Sequence, residues 1–189
     1  QVGSSAASDV YKRQGDNVSA LPTSEDSKLH PISIYGHTKQ AQEDLSLIAG
    51  RALNIPVINF RFQNVYGPGQ SLQNSYTGIL SIFSTRIRNG KSINIFEDGE
   101  ESRDFVYIKD VIQAIILGMR IKENQSICLN VGSGTQTTVI EVVEQLMKSM
   151  QASSKVVITG NYRVGDIRTN YADLSSISKI GFKPNTSFQ

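Results

Sequence analysis

The stretch Tyr35-Gly36-His37-Thr38-Lys39, continuing as Gln40-Ala41-Gln42-Glu43-Asp44-Leu45, reads as the opening of a helix. Tyr35 and Lys39 are four residues apart. On an α-helix that spacing puts both side chains on one face, one turn apart. An ammonium beside a phenol favours the phenolate and draws a tyrosine down from its usual value of about 10. A general base works best when its pKa lies near the operating pH. The pair is therefore an acid/base device in outline. Taken alone it is a weak signal, because a surface lysine lying over a half-buried tyrosine has the same spacing. The flanking sequence has to decide.

Upstream, residues 15–34 are polar and punctuated by Pro22 and Pro31, a loop leading into the helix, with Ser33 or a neighbour as cap. Ala41, Leu45, Ile48, Ala49 and Ala52 follow helical spacing, and Asn54 with Pro56 close behind marks the end. Residues 56–62 are a β-rich run after a helix, which suggests α/β alternation. They empty into Gln63-Asn64-Val65-Tyr66-Gly67-Pro68-Gly69-Gln70, read as a loop. In open α/β sheets, ligands bind beyond the carboxyl ends of strands.

A helix is expected over 76–88, stopped by Asn89-Gly90, then a strand at 93–96 and a turn at Asp98-Gly99. Residues 102–108 read as extended. Asp110 reads as the cap of a helix through Met119, packed through Val111, Ile112, Ile115 and Leu117. A strand at 126–131 precedes Gly132-Ser133-Gly134, and Thr138 with Glu141 forms a capping box for a helix over 139–150. The two glycines invite a phosphate-loop reading, but the third glycine and a downstream ribose-binding acid are missing, so a plain turn suffices. A last strand at 155–158 and a short helix at 174–180, ending at Gly181, complete the pattern.

A formal net charge of +2, without a basic stripe interleaved with aromatics, argues against a nucleic-acid surface. The longest apolar runs, such as Ala114-Ile115-Ile116-Leu117, are too short to span a bilayer. One cysteine, Cys128, excludes an internal disulfide framework and fits a reducing cytoplasm, the expected location. The two histidines, His30 and His37, lack metal-site spacing, so no metal is expected. Residues 1–14, with Asp9-Val10-Tyr11-Lys12-Arg13-Gln14, resemble a translated transposon end left by library preparation, and the expectation is that they are mostly a non-native scar.

Five ordered motifs carry a resemblance over roughly residues 15–188. They are Pro31-x-x-x-Tyr35-Gly36-x-x-Lys39, Arg61-x-x-Asn64-Val65-Tyr66-Gly67-Pro68, Gly90-x-x-Ile93-x-Ile95-Phe96, Ser102-Arg103-Asp104-Phe105-Val106-Tyr107-Ile108, and Arg163-x-Gly165-Asp166 with Ala172-Asp173. Together they resemble the extended short-chain dehydrogenase/reductase family, and within it the NAD-dependent nucleotide-sugar epimerases and dehydratases. The resemblance implies an α/β fold: the C-terminal part of a Rossmann-type parallel sheet plus a smaller α/β nucleotide-sugar-binding domain. Last Rossmann elements (about 31–66 and 103–119) would interleave with substrate-binding segments (about 67–102 and 120–189).

It also implies roles. Tyr35 would be the acid/base on the sugar hydroxyl, and Lys39 would lower its pKa and bond the nicotinamide ribose of NAD. Gln63 falls near the nicotinamide, and Asn64 on the substrate diphosphate. Asn94 and Phe96 fall at the nucleotide base, Arg103 and Arg163 at the diphosphate, and Asp166 at the ribose hydroxyls. For Arg103 the plainer alternative is an ion pair with Asp104, and for Arg163 a bland surface position.

The implied activity is epimerisation, at C4, of a UDP- or dTDP-hexose, with the stretch 70–110 most like bacterial enzymes of surface-polysaccharide precursors. The alternatives are a 4,6-dehydratase and an inactive nucleotide-sugar-binding remnant. A homodimer is the family expectation for the full-length form. Two features depart from the family: the N-terminal glycine-rich half is absent from this chain, and no catalytic Ser/Thr upstream of Tyr35 is assigned, since Ser4 and Ser5 fall in the suspected scar. The chain is therefore expected to be the C-terminal part of an enzyme, inactive and poorly stable alone.

Overall fold

The computed structural model describes residues 21–31, 33–71, 78–122, 126–161 and 168–188. Helix α1, Ile34–Leu53, begins where expected, because Ser33 Oγ accepts from the Gly36 N–H at 2.9 Å. It ends at Asn54, whose left-handed backbone (φ 55°) lets its N–H return to the Arg51 carbonyl. The apolar stripe does not face the core. Gly36, Ser46 and Gly50 are buried, while Leu45 is 64% and Ile48 54% exposed. Small residues allow a close approach to the sheet: a Cβ on Gly50 would lie 2.5 Å from Val57 Cγ2.

Strand β1, Ile58–Phe62, runs parallel to β6, Ile127–Val131, with Phe60 opposite Leu129. Residues 64–66, read as loop, instead form β2, Asn64–Tyr66, parallel to β5, Phe105–Tyr107. Their few residues and the following Gly67-Pro68 hide the strand from a periodicity reading; pairing with β5 creates it. The extended run at 102–108 breaks at Asp104, so β4, Ser102–Arg103, pairs antiparallel with β7, Thr137–Thr138. β3, Ile93–Ile95, is parallel to β8, Val156–Ile158. The polar segment before α1 is more than a loop, since Thr23 makes a parallel bridge to Ala172.

Helix α2 spans Ile79–Arg88 with Gly78 as its N-cap; Tyr76 and Thr77, expected in the same helix, lie outside the described residues. Helix α3, Ile108–Gly118, has Tyr107 at its N-cap, so Asp110 is not the cap. Asp110 sits in the first turn, and its carboxylate accepts the N–H groups of Asn185 (3.1 Å) and Thr186 (3.2 Å). The face of α3 also differs from expectation. Val111, Ala114 and Gly118 point inward, whereas Ile112 is 49% and Ile116 43% exposed. A side chain at 118 would meet Phe60 Cζ at 2.5 Å, so glycine sets how closely α3 approaches β1. Helix α4, Val139–Ser149, carries the expected capping box of Thr138 and Glu141. Helix α5 is a single turn, Ser175–Ser178, shorter than anticipated.

Two apolar clusters result. One joins β1, β5, β6 and α3 with Ile177 and Phe182. The other joins α2, β3 and α4 with Phe105. Neighbouring residues Phe105 and Val106 point into different clusters, as alternation along a strand requires.

Candidate active site and nucleotide pocket

Helix α1 presents Tyr35 half exposed, at 50%. Lys39 Nζ lies over its ring, 5.4 Å from the centroid, and donates to Gln42 Oε1 at 3.0 Å. One turn further along the same face is Glu43. Arg61 of β1 grips it with two bonds: Nε to Oε2 at 2.9 Å and Nη2 to Oε1 at 2.6 Å. Arg61 Nη1 also donates to the Glu25 carbonyl at 2.9 Å.

The motif arginine therefore fastens the helix that carries Tyr35 to the sheet. Sequence reading missed Glu43, although Tyr35, Lys39 and Glu43 repeat at four-residue spacing. Burial pushes the Glu43 carboxyl up, but the Arg61 bonds outweigh it and hold it below its ordinary value. The Cys128 thiol donates to Glu43 Oε1 at 3.4 Å and is pushed up to about 11 by burial and by the Glu43 charge.

Gln63, between β1 and β2, is 1% exposed. Its Oε1 accepts from Asn170 Nδ2 at 3.0 Å, while its Nε2 has no hydrogen-bond partner. Asn64 is half-buried, and its Nδ2 lies 3.3 Å from the Asp104 carbonyl. Asp104 itself is fully buried and gathers four donors. Oδ1 takes the Ser133 N–H and hydroxyl, each at 2.6 Å, and Oδ2 takes the N–H groups of Gly134 (3.0 Å) and Ala172 (3.1 Å). The Gly132-Ser133-Gly134 turn thus does bind an anion, and the anion is the protein's own carboxylate. A Cβ on Gly132 would stand 2.3 Å from Asp104 Oδ2, so only glycine admits it. Burial raises the Asp104 carboxyl above its usual range, and the four donors pull the other way. An Arg103–Asp104 ion pair is not what uses this carboxylate.

Asn94 is exposed on β3 and Phe96, just beyond it, is 38% exposed. The turn that follows is tied by Arg168, with Nη1 3.1 Å from Glu97 Oε2 and Nη2 2.6 Å from Asp98 Oδ2. The Arg168 carbonyl accepts from the Ser102 N–H at 2.8 Å and lies 3.4 Å from Arg103 Nη1. Arg103, half-buried, also donates to the Ser102 carbonyl at 2.8 Å. Glu97 N–H donates to the Asn161 carbonyl at 2.8 Å. Arg163 and Asp166 lie outside the described residues, but Asn161 and Arg168, which flank them, both meet the turn between β3 and β4. Among the described residues no cluster of His, Cys, Asp or Glu could hold a metal ion, and no helix is long and apolar enough to cross a membrane.

The α/β framework with parallel strand pairs is that of Rossmann-type epimerases. The chain belongs to the NAD dependent epimerase/dehydratase family, whose model matches residues 2–132. It is 38% identical to a dTDP-L-rhamnose 4-epimerase of Burkholderia thailandensis over 171 residues, covering 89% of this chain and 47% of that one. The crystal structure of UDP-glucose 4-epimerase with UDP-glucose from Thermotoga maritima superposes with a TM-score of 0.86 at 33% identity, over 98% of this chain and 58% of that one. MoeE5 in complex with UDP-glucuronic acid and NAD superposes with a TM-score of 0.82 at 30% identity, over 98% of this chain and 60% of that one. The chain spans about half the length of the curated relatives it matches, 47% and 52% of the first two.

Proposed function

We propose that the whole protein epimerises a nucleotide-linked hexose at C4, using NAD and Tyr35 as acid/base. The observation that carries this reading is the half-exposed Tyr35 with the Lys39 ammonium over its ring, on a helix fastened to β1 by Arg61 and Glu43. The 4-epimerases among the similar proteins support the reaction type.

The residues present suit the nicotinamide end of NAD: a reachable phenol and an ammonium on one helical face. Tyr35 and Lys39 would hold its nicotinamide ribose, with Gln63 near the nicotinamide. The glycine turn after β6 is filled by Asp104 and leaves no room for a pyrophosphate. NAD, when bound, would supply the hydride-accepting and hydride-donating chemistry at the sugar carbon. Tyr35 takes the proton from the hydroxyl on that carbon and gives it back. Lys39 keeps positive charge beside the phenolate and stabilises it.

The nucleotide must stay clamped while the sugar turns, so binding energy is placed away from the reacting carbon. Asn64, Arg103 and Arg163 would hold the diphosphate, for which a planar guanidinium is suited. Asn94 and Phe96 would take the base, and Asp166 the ribose hydroxyls. A UDP- or dTDP-hexose is the substrate class. A homodimer of the whole protein is part of the proposal, with the exposed Leu45 and Ile48 of α1 as apolar surface available to it.

Tyr35→Phe in the full-length protein tests the reading. Loss of a positioned general base typically costs about 10²–10⁴-fold, and UDP affinity should stay unchanged. Turnover of UDP- and dTDP-hexoses above a tenth of the unmutated rate would sink it.

A further inference from the structure

We propose that Glu101 is a specificity-determining residue of the nucleotide pocket, its carboxylate accepting a hydrogen bond from a neutral donor on the nucleoside. The proposal rests on the nucleotide-sugar reading above. Four carboxylates lie in the turn between β3 and β4: Glu97, Asp98, the exposed Glu100, and Glu101. Arg168 bonds two of them, Glu97 and Asp98. Glu101 is left out of that arrangement: it is 6% exposed, and its Oε2 has no hydrogen-bond partner. A buried, unanswered carboxylate oxygen is costly, and folds rarely keep one without a use.

Position indicates the use. The Glu101 carbonyl accepts the Val139 N–H at 3.0 Å, so its backbone continues the extended run of β4. Residues two apart on an extended strand share a face, which puts Glu101 on the side of Arg103. The charges it feels are Glu97 and Asp98, which repel it, and Arg103, which attracts it; burial and the two acids hold its carboxyl above the ordinary range. With Arg103 assigned to the diphosphate and Phe96 to the base, Glu101 falls beside the part of the ligand between them.

A phosphate cannot bond this carboxylate, since both are anionic. The neutral donors of a uridine or thymidine diphosphate are the ribose hydroxyls and the imino N–H of the base. Either offers a single hydrogen to Oε2, the oxygen without a partner. A ligand lacking that donor leaves Glu101 Oε2 buried and unanswered, which is how strong discrimination arises.

Calorimetry on the full-length protein tests this with UDP, 2′,3′-dideoxy-UDP and N3-methyl-UDP. Glu101→Met keeps the side-chain length and removes the acceptor; Arg103→Ala is the control. The unmutated protein should bind UDP and lose about tenfold or more with one analogue, as expected for a hydrogen bond to a charged group. The dideoxy arm identifies a ribose donor and the N3-methyl arm an imino donor. Glu101→Met should keep or raise the melting temperature, weaken UDP by a similar factor and bind the sensitive analogue as well as UDP. Arg103→Ala should weaken all three ligands together. An unmutated protein indifferent to both analogues, or a Glu101→Met protein that keeps the preference, overturns the proposal alone if Arg103→Ala still weakens UDP. An unmutated full-length protein that does not bind UDP overturns this proposal and the nucleotide-sugar reading together.

Discussion

At Glu43 burial and charge pairing act in opposite directions, and the pairing wins. Its carboxyl is held below its ordinary value, so its contribution to stability is present above the unfolded value and disappears as pH falls through the folded one. Glu43→Gln should therefore cost about 1–3 kcal/mol near neutral pH, where Arg61 loses its charged partner. The gap to the unmutated chain should close below about pH 4, read as melting temperature against pH. A gap that persists in acid would mean that packing rather than charge is responsible. Cys128 shifts the opposite way. With its thiol pushed up to about 11, iodoacetamide should label it slowly in the native chain at pH 8 and quickly after unfolding. Rapid native labelling would contradict the burial.

At the scale of the element, α1 separates a helix's own signals from its orientation. Ser33 and Asn54 set its ends. Its inner face consists of small residues because the sheet lies so close, and Leu45 and Ile48 are turned out. Substitutions away from packed features usually stay within about 0.5 kcal/mol. Leu45→Gln with Ile48→Lys should accordingly leave the melting temperature nearly unchanged while lowering self-association, measured by light scattering. A large drop in melting temperature would place those side chains in the core. The capping box of α4 needed no such correction, since its bonds span only three residues: the Thr138 N–H to Glu141 Oε2 at 2.7 Å and the Glu141 N–H to Thr138 Oγ1 at 3.2 Å.

Across the whole molecule, the C-terminal stretch is stitched back over the body. Asp110 holds the amides of Asn185 and Thr186, and Phe188 stacks on Phe105, 4.8 Å between centroids, and meets Tyr66 edge-on at 5.3 Å. Tyr66 and Phe188 wall a cavity of about 420 Å³ bounded by the Gly67–Gln70 turn, α2 and α4. Asp110→Asn replaces one acceptor oxygen by a donor that faces donors. Hydrogen exchange at Asn185 and Thr186 should then speed up by about tenfold or more, as for loss of a charge-assisted bond. Protection that survives the change would mean that the aromatic stack alone holds the segment.

The sequence alone determined the α/β alternation, the bounds of α1 and the start of α4, and the Tyr35–Lys39 pairing. Each of these depends on neighbours within about one helical turn. It could not say what Arg61, Asp104 and Asp110 bind. Those partners are Glu43, the turn after β6, and the amides of Asn185 and Thr186, at separations of 18, 29 and 75 residues. Nor could it detect β2, a three-residue strand that exists only against β5. An arginine or a carboxylate reads alike in sequence whether it meets a ligand or a buried backbone. Only the pairing of distant strands brings one set of partners within hydrogen-bond reach and excludes the rest.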